Sequence, residues 1–444
     1  MTELLILNCD ILTVVNKAVK FKQKQDIWIK DNRITAINNH QEKPENIGAL
    51  VQTIDGTNKL AIPGLINTHA HVPMVLFRGL AEDVTIPSWF NDFVFPLESN
   101  ETPEDIYWGA LLGIAEMIEN GVTSFADHYF FMDEVAQAVE ESGTRANLVW
   151  AVFGHEGESK LKETGEFIKR WQGCADGRIT TWLGPHAPYT CPPEFLQLSS
   201  NFAKELNVGI HTHVSETAAQ VEMSLKEHGK TPVKILQEAG IFDVPSILGH
   251  CLYPTDEDIE IIKNANTGVA HAPKTYLKHG GGTVDLNRYL QAGVPIGLAT
   301  DGAMSNNTLD ILEQLRLMVL SQKDLAKDPL VMTIPEALDI AFNGSARVFQ
   351  HADELGDIAV GKLADIVLMD QNGLSVFPRF NPAANLIYSS NSRDVNTVIC
   401  NGKVLMQDRK LLTIDKDRIK QEIVKRLERL SLRVPEKRIA FYPS

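Results

Sequence analysis

The stretch Ala61-Ile62-Pro63-Gly64-Leu65-Ile66-Asn67-Thr68-His69-Ala70-His71-Val72-Pro73 decides the fold. An apolar run that ends in Thr-His-Ala-His predicts a buried strand whose last residues leave the hydrophobic layer. Because side chains alternate along a strand, we expect His69 and His71 on the same face. Two imidazoles on one face are half of a metal site, although a hydrogen-bonded pair of core histidines would give the same pattern.

Length, charge and cysteine content exclude several classes of protein. The chain has 444 residues, enough for an α/β barrel of about 250 residues and a further domain. Its net charge of −15 argues against nucleic acid or an anionic membrane surface as a partner. The five cysteines are scattered, and we find neither a basic leader segment nor an apolar run of about 18 residues. We therefore expect a cytoplasmic protein with reduced thiols.

Short alternating segments at both ends of the chain predict a small β domain. Residues 4–7 and 26–37 have this pattern, as do residues 364–369 and 395–406, where Asn401-Gly402 is a strong hairpin signal. Further along, Asp415 to Arg433 carries Ile419, Ile423, Leu427 and Leu430 at helical spacing and predicts a surface helix. The predicted divisions are a small β-sandwich domain from 1–60 with 356–415, a barrel from 61–355, and a helix with a tail from 416–444.

Between the two ends, a short apolar strand, a loop and a helical stretch recur eight times. The candidate strands are 61–72, 121–129, 145–154, 179–189, 207–215, 246–253, 267–275 and 294–302. Helical patterns separate them, for example from Pro103 to Asn120. Eight such units predict an α/β fold, the (β/α)8 TIM barrel, whose chemistry lies at the carboxyl ends of the strands.

Polar residues do cluster at the predicted strand ends. They are His69, His71, His186, His213, Glu216, His250, His271 and Asp301. Core packing accounts for any one histidine, but it explains poorly why so many fall at one rim. The sequence therefore favours a catalytic site.

Four of these residues make a suitable set of metal ligands. His69, His71, His213 and Asp301 would offer one divalent ion three neutral nitrogens and one anionic oxygen, a set that suits zinc and also admits iron or manganese. Such an ion lowers the pKa of bound water from about 15.7 towards 7. Asp301 could then accept the proton of that water, and His250 could orient the hydroxide.

Glu216 is the expected proton donor to a ring nitrogen of the substrate. It lies three residues after His213, so it reaches the same side only if the chain turns after Val214. The alternative is that Glu216 caps the helix that begins near Thr217, or lies in its first turn.

The chain resembles the amidohydrolase superfamily over essentially its whole length. The motifs that carry the resemblance are residues 63–71, 213–216, 249–251, 299–302, 343–347 and 355–365. The resemblance implies a metal-dependent hydrolase with one catalytic ion, because Pro185-His186 stands where members with two ions carry a lysine.

More narrowly, the chain resembles the branch that holds the methylthioadenosine/S-adenosylhomocysteine deaminases and the triazine chlorohydrolases. The segments that favour the deaminases are 78–83, 89–98, 184–189 and 300–307. By that likeness Glu98 holds ribose hydroxyls, Trp89 closes over a nucleoside, and His186 hydrogen-bonds the substrate. A capped turn for Glu98 and a buried anchor for Trp89 are the structural alternatives.

This likeness implies hydrolytic deamination of an adenosine-like nucleoside. The candidates are 5′-methylthioadenosine, 5′-deoxyadenosine, adenosine and S-adenosylhomocysteine. Members that accept the homocysteine tail are expected to carry arginines near the third strand, whereas residues 153–160 read Phe-Gly-His-Glu-Gly-Glu-Ser-Lys, which disfavours that substrate. Lys274, Tyr276 and His155 receive no role.

Two alternatives remain open. The first is a hydrolase of another amino- or chloro-substituted heterocycle, such as a triazine chlorohydrolase or a guanine or pterin deaminase. The second is a non-catalytic scaffold, against which the retained ligands and Glu216 argue. The expected partner is a small molecule, and the sequence leaves the oligomeric state open, a homo-oligomer included.

Overall fold

The computed structural model describes residues 3–41 and 51–442. Residues 1–2, 42–50 and 443–444 of the predicted domains lie outside the described residues. A parallel barrel forms the centre of the fold. Its strands are Leu65–His71, Val122–Tyr129, Arg145–Val152, Ile179–Pro185, Ile210–Val214, Ser246–His250, Thr267–His271 and, in two pieces, Ile296–Leu298 with Asp301–Gly302. Each lies within or overlaps one of the eight predicted segments, and the α/β barrel is confirmed.

The interrupted eighth strand closes the barrel. Its first piece pairs with the seventh strand, and its second piece pairs with the first strand, where Asp301 lies opposite Ala70. The Asn67 side chain bridges the interruption, since it accepts from the Thr300 amide at 3.0 Å and donates to the Thr300 hydroxyl at 2.7 Å. Asp301 has a left-handed φ of 62°, which costs about 1–2 kcal/mol in a residue with a side chain. The break therefore directs the Asp301 carboxylate to the histidines of the first strand.

The second sheet joins both ends of the chain. Its strands are Glu3–Val15, Ala18–Lys30, Arg33–Asn39, Gln52–Asp55, Lys59–Pro63, Ile366–Asp370, Val395–Cys400, Lys403–Gln407 and Lys410–Leu411. The predicted β-sandwich is hydrogen-bonded as one continuous mixed sheet. Residues such as Ile6, Ile27, Ile366 and Ile399 give it a hydrophobic core separate from that of the barrel.

The predicted strand 61–72 is interrupted at Gly64. Lys59–Pro63 pairs with Ile366–Asp370 in the second sheet, and Leu65–His71 begins the barrel. A Cβ atom on Gly64 would lie 2.3 Å from the Thr123 hydroxyl, so only glycine allows this direct crossing. One short segment thus connects the two sheets.

Helices surround the barrel and follow the predicted strand–helix order. The main α-helices are Pro103–Glu119, Met132–Ser142, Gly157–Trp171, Pro193–Leu206, Ala218–His228, Pro232–Glu238, Asp256–Lys263, Pro273–Lys278, Leu286–Ala292, Ile311–Ala326, Ile334–Asp339, Pro382–Tyr388 and Lys416–Val424. Among the described residues, we find no helix that combines the length and the apolar character needed to cross a bilayer.

The predicted helix from Asp415 to Arg433 is broken. It forms Lys416–Val424 and a short helix, Leu427–Leu430. The break lets Arg429 reach the buried Asp105 carboxylate at 2.6 Å, while Leu427 is 45% exposed. The predicted apolar face is therefore wrong at Leu427, although Ile419, Ile423 and Leu430 are buried as expected.

Candidate active site

The four predicted metal ligands converge at the carboxyl rim of the barrel. The Asp301 Oδ1 atom lies 3.2 Å from His71 Nε2 and 3.6 Å from His69 Nε2. His213 Nε2 lies 3.3 Å from His71 Nε2. Four ligand atoms placed tetrahedrally at about 2.1 Å from one ion stand about 3.4 Å apart, so these three separations are close to those around a common ion.

The opposite nitrogens of these rings are fixed by neighbouring groups. Nδ1 of His71 donates to the His128 carbonyl at 2.5 Å, and Nδ1 of His213 donates to the His186 carbonyl at 2.8 Å. A carbonyl can only accept, so in the neutral rings both Nε2 atoms carry lone pairs and are available as ligands. His69 Nδ1 lies 2.8 Å from Nε2 of His211, which precedes His213 by two residues on the fifth strand.

Burial and charge also fit a cation at this point. His69 Nε2 is fully buried and has no hydrogen-bond partner among the described residues. Burial lowers the pKa of His69 to about 3, which keeps it in the neutral form that binds metals. For His71, burial opposes the charge, but the Asp301 carboxylate outweighs it and raises the pKa to about 9, so the site stabilises positive charge here, and a metal ion that binds displaces the His71 proton. In the sixth strand, a Cβ atom on Gly249 would lie 3.3 Å from the His69 ring, so glycine leaves room for the imidazoles.

Glu216 reaches the same rim because the chain turns after Val214, as predicted. Ser215 adopts a left-handed φ of 47° directly after the fifth strand, and Glu216 follows it into the pocket. The helix Ala218–His228 is capped by Thr217 and has no acid in its first turn, so the capping alternative for Glu216 is wrong. Glu216 Oε1 lies 4.0 Å from His250 Nε2, and burial raises the pKa of the Glu216 carboxyl.

Gln220 holds Glu216 and was missed by the sequence analysis. Its side-chain oxygen accepts from the Glu216 amide at 2.9 Å, and its side-chain nitrogen donates to Glu216 Oε2 at 3.2 Å. Glu216 Oε1 is thereby left to face His250. The four-residue spacing, one helical turn beyond a candidate acid, was the only available signal.

Trp89 and Glu98 lie on one helical segment that contains a wide π turn over Trp89–Val94. Nine residues of regular α-helix make about two and a half turns, which would place these side chains on opposite faces. The π turn changes the rotation about the helix axis between the two side chains, and both line the same pocket. Trp89 Nε1 is buried and has no hydrogen-bond partner among the described residues, so it is free to donate to a ligand.

A second buried acid lies behind Glu98. The Tyr129 hydroxyl donates to Glu101 Oε2 at 3.0 Å and also interacts with the Glu98 carboxylate. Burial raises the pKa of Glu98 to about 7 and that of Glu101 well above its usual range. Sequence reasoning missed Tyr129, although it ends the predicted strand 121–129, and it missed Glu101, which belongs to no recognisable spacing.

His186 completes the polar lining of the pocket. Its Nδ1 lies 2.8 Å from the Thr190 hydroxyl, and its ring packs against Phe153 at 4.7 Å between centroids. Burial lowers the pKa of His186 to about 3, so the ring is neutral. The structure thus brings together all the predicted site residues, namely His69, His71, Trp89, Glu98, His186, His213, Glu216, His250 and Asp301.

Three residues without a predicted role make structural contacts. Lys274 pairs with Glu313 at 2.7 Å, and the Tyr276 hydroxyl accepts from the Ala272 amide at 3.0 Å. The His155 ring stacks on Phe153.

A parallel barrel with histidines and acids converging at its carboxyl rim is the architecture of a metal-dependent hydrolase. The chain belongs to the amidohydrolase family, which its residues 60–405 match. It is a hydrolase that acts on C–N bonds in cyclic amidines.

Similar proteins extend over nearly the whole chain. The 5-methylthioadenosine/S-adenosylhomocysteine deaminase of Carboxydothermus hydrogenoformans is 44% identical over 408 residues, 91% of this chain and 93% of its own. The protein of the same name from Dictyoglomus thermophilum is 43% identical and covers 84% of this chain and 88% of its own. A zinc-bound adenosine deaminase from Xanthomonas campestris has the same fold, with a TM-score of 0.91, 26% identity and coverage of 97% and 98%. A zinc complex of the atrazine chlorohydrolase from Arthrobacter aurescens is also similar, with a TM-score of 0.86, 25% identity and coverage of 96% and 100%.

Proposed function

We propose that the chain deaminates an adenosine-like nucleoside, such as 5′-methylthioadenosine, 5′-deoxyadenosine or adenosine, and releases ammonia. The observation that carries the proposal is a single pocket whose lining joins Glu216 and three of the proposed metal ligands to Glu98 and Trp89. Glu216 and the metal ligands suit hydrolysis at a purine ring. Glu98 and Trp89 suit the ribose and the attached base of a nucleoside. The names of the relatives at 43–44% identity support the same substrate class.

His69, His71, His213 and Asp301 are the proposed holders of one divalent ion, and their three nitrogens and one oxygen favour zinc. When bound, such an ion makes water a nucleophile at neutral pH. Asp301 is positioned to accept the proton of the attacking water, since the Ser305 hydroxyl donates to its Oδ2 at 2.7 Å and fixes its orientation.

Glu216 supplies the proton that the purine ring needs. Its raised pKa increases the protonated fraction at neutral pH, and Gln220 holds one oxygen while the other faces the pocket. Protonation of the ring nitrogen makes the neighbouring carbon a better electrophile. When the amine leaves, it takes up the proton that Asp301 removed from water, and the added hydroxyl gives its own proton back to Glu216, so that water and the amino group become a carbonyl and ammonia.

The substrate is held by Glu98, Trp89 and His186 in this proposal. The Glu98 carboxylate accepts from ribose hydroxyls, and the unpartnered Trp89 Nε1 donates to the ligand. His186 is neutral and fixed by Thr190, so it hydrogen-bonds the substrate without adding charge.

The pocket favours a neutral 5′ substituent. Its described lining includes Phe95, Phe130, Phe153 and Met74, but neither lysine nor arginine. A carboxylate brought into such a place loses its hydration without gaining a charged partner. We therefore expect kcat/KM for 5′-methylthioadenosine to exceed that for S-adenosylhomocysteine by at least about tenfold, equivalent to about 1.4 kcal/mol.

Ammonia release from a panel of substrates tests both statements. The panel contains purine nucleosides, S-adenosylhomocysteine, guanine and a chlorotriazine, and chloride release is followed for the last. Equal or higher kcat/KM for S-adenosylhomocysteine would contradict the preference for a neutral substituent. Turnover of guanine or the chlorotriazine, with none of any adenosine-like nucleoside, would contradict the proposed function itself.

We also propose a cytoplasmic location, which the five free cysteines support. The division into 1–60 with 356–415, 61–355 and 416–444 stays a prediction. Its first boundary, between residues 60 and 61, falls inside Lys59–Pro63, a strand that pairs within the second sheet.

A further inference from the structure

A segment far from the barrel in sequence packs behind the wall of the pocket. Residues 434–442, here named the strap, come after the last α-helix and bring Tyr442 to the rim, where it is 2% exposed. The Tyr442 ring stacks on Phe90 with 4.7 Å between centroids and 3° between planes, and it meets Tyr189 edge-on at 5.4 Å. Phe90 and Tyr189 both line the pocket. The adjacent Phe441 is 58% exposed, so Tyr442 is buried although its neighbour in the sequence is not.

The backbone of the strap is fixed to the helical segment that carries Trp89 and Glu98. The Asn91 side chain donates to the Tyr442 carbonyl at 2.8 Å and accepts from the Tyr442 amide at 2.9 Å. Asn91 is buried within the π turn. A buried amide side chain paired on both edges holds the strap in one register.

The Tyr442 hydroxyl is linked to the proposed proton donor through two residues. It lies 2.9 Å from the hydroxyl of Thr217. Thr217 caps the helix by accepting from the Gln220 amide at 3.2 Å, and Gln220 in turn holds both the amide and the carboxylate of Glu216. Packing against Phe90 would need only the ring, whereas the hydroxyl acts at the helix cap.

We infer that Tyr442 is a positioning residue for Glu216, acting through Thr217 and Gln220. This inference rests on the proposed proton-donor role of Glu216. The strap thereby has two separable effects. The ring supports the aromatic wall and so influences substrate binding, while the hydroxyl orients the carboxyl group and so influences turnover.

Two substitutions separate these effects. Tyr442→Phe keeps the ring and removes the hydroxyl, so we expect kcat to fall about fivefold, as for a hydrogen bond worth about 1 kcal/mol, with KM within about twofold of wild type. Tyr442→Ala removes both groups, and we expect KM to rise as well. Phe441→Ala is the matched control, and its kinetics are expected to equal those of wild type.

A double-mutant cycle tests whether Tyr442 acts through Glu216. In a Glu216→Gln background, Tyr442→Phe is expected to cause no further loss of kcat, because the group that it positions is already gone. An equal fivefold loss in both backgrounds, or an unchanged kcat for Tyr442→Phe alone, would overturn the inference.

Amide hydrogen exchange examines the same linkage without turnover. We expect the amides of residues 216–220 to exchange faster in Tyr442→Phe than in wild type and in Phe441→Ala. If exchange there is the same in all three proteins, the inference is wrong. Wild-type protein that is inactive on the whole nucleoside panel would overturn the proposed function, while the exchange result still decides the role of the strap.

Discussion

Glu216→Gln is expected to lower kcat by about 10²–10⁴ while the protein keeps its metal. Glutamine has nearly the same size and can still hydrogen-bond to Gln220, but it has no acidic proton to give to the substrate ring. The residue lies three positions beyond His213 and is turned into the pocket by the left-handed Ser215. Initial rates of ammonia release from 5′-methylthioadenosine, with metal content measured on the same sample, give the result.

Glu222→Gln is the matched control for this substitution. Glu222 lies on the helix that follows Glu216 and is exposed to solvent. We expect wild-type kinetics for it. Wild-type turnover in Glu216→Gln would show that the proton reaches the ring from another group, and loss of metal from that variant would mean that Glu216 belongs to the ligand set.

Asp301→Asn is expected to lower kcat by at least about 10³-fold, the rate equivalent of about 4 kcal/mol, and to weaken metal retention. The substitution keeps the size of the side chain but removes the negative charge 3.2 Å from His71. It also removes the proposed acceptor for the proton of water. Turnover at saturating added metal separates the two effects, because added metal restores occupancy without restoring the proton acceptor.

The control for this variant is Asp324→Asn. The Asp324 side chain is 80% exposed and lies near the end of the helix Ile311–Ala326. It is expected to match wild type in metal content and in rate. If Asp301→Asn retained both the ion and the wild-type rate, Asp301 would be neither a ligand nor the proton acceptor.

The barrel could be predicted because its strands are buried on both sides. Parallel strands of that kind appear in the sequence as short apolar runs, and the histidines that interrupt their ends, such as His69, His213 and His250, fall at the rim. The alternation of side chains placed His69 and His71 together, while the family resemblance added Trp89 and Glu98 and gave His186 its role. All of these side chains converge in the structure.

The remaining features depend on contacts that local sequence does not record. The crossing at Gly64 requires knowledge of Thr123, which approaches from the second strand. Leu427 fits an apolar helical face, but the helix ends at Val424, and the short helix that follows brings Arg429 to the Asp105 carboxylate and leaves Leu427 exposed. The link from Tyr442 to Thr217 joins residues 225 positions apart, and no periodicity reaches that far.

The central claim is that one divalent ion, held by side chains from three barrel strands, is required for hydrolysis. Elemental analysis of freshly purified wild-type protein, followed by chelation and stepwise return of zinc, iron or manganese, tests it most directly with ammonia release as the readout. We predict about one ion per chain, loss of turnover on chelation, and recovery that saturates at one equivalent of metal. Full turnover in protein shown to hold no divalent ion would contradict the account.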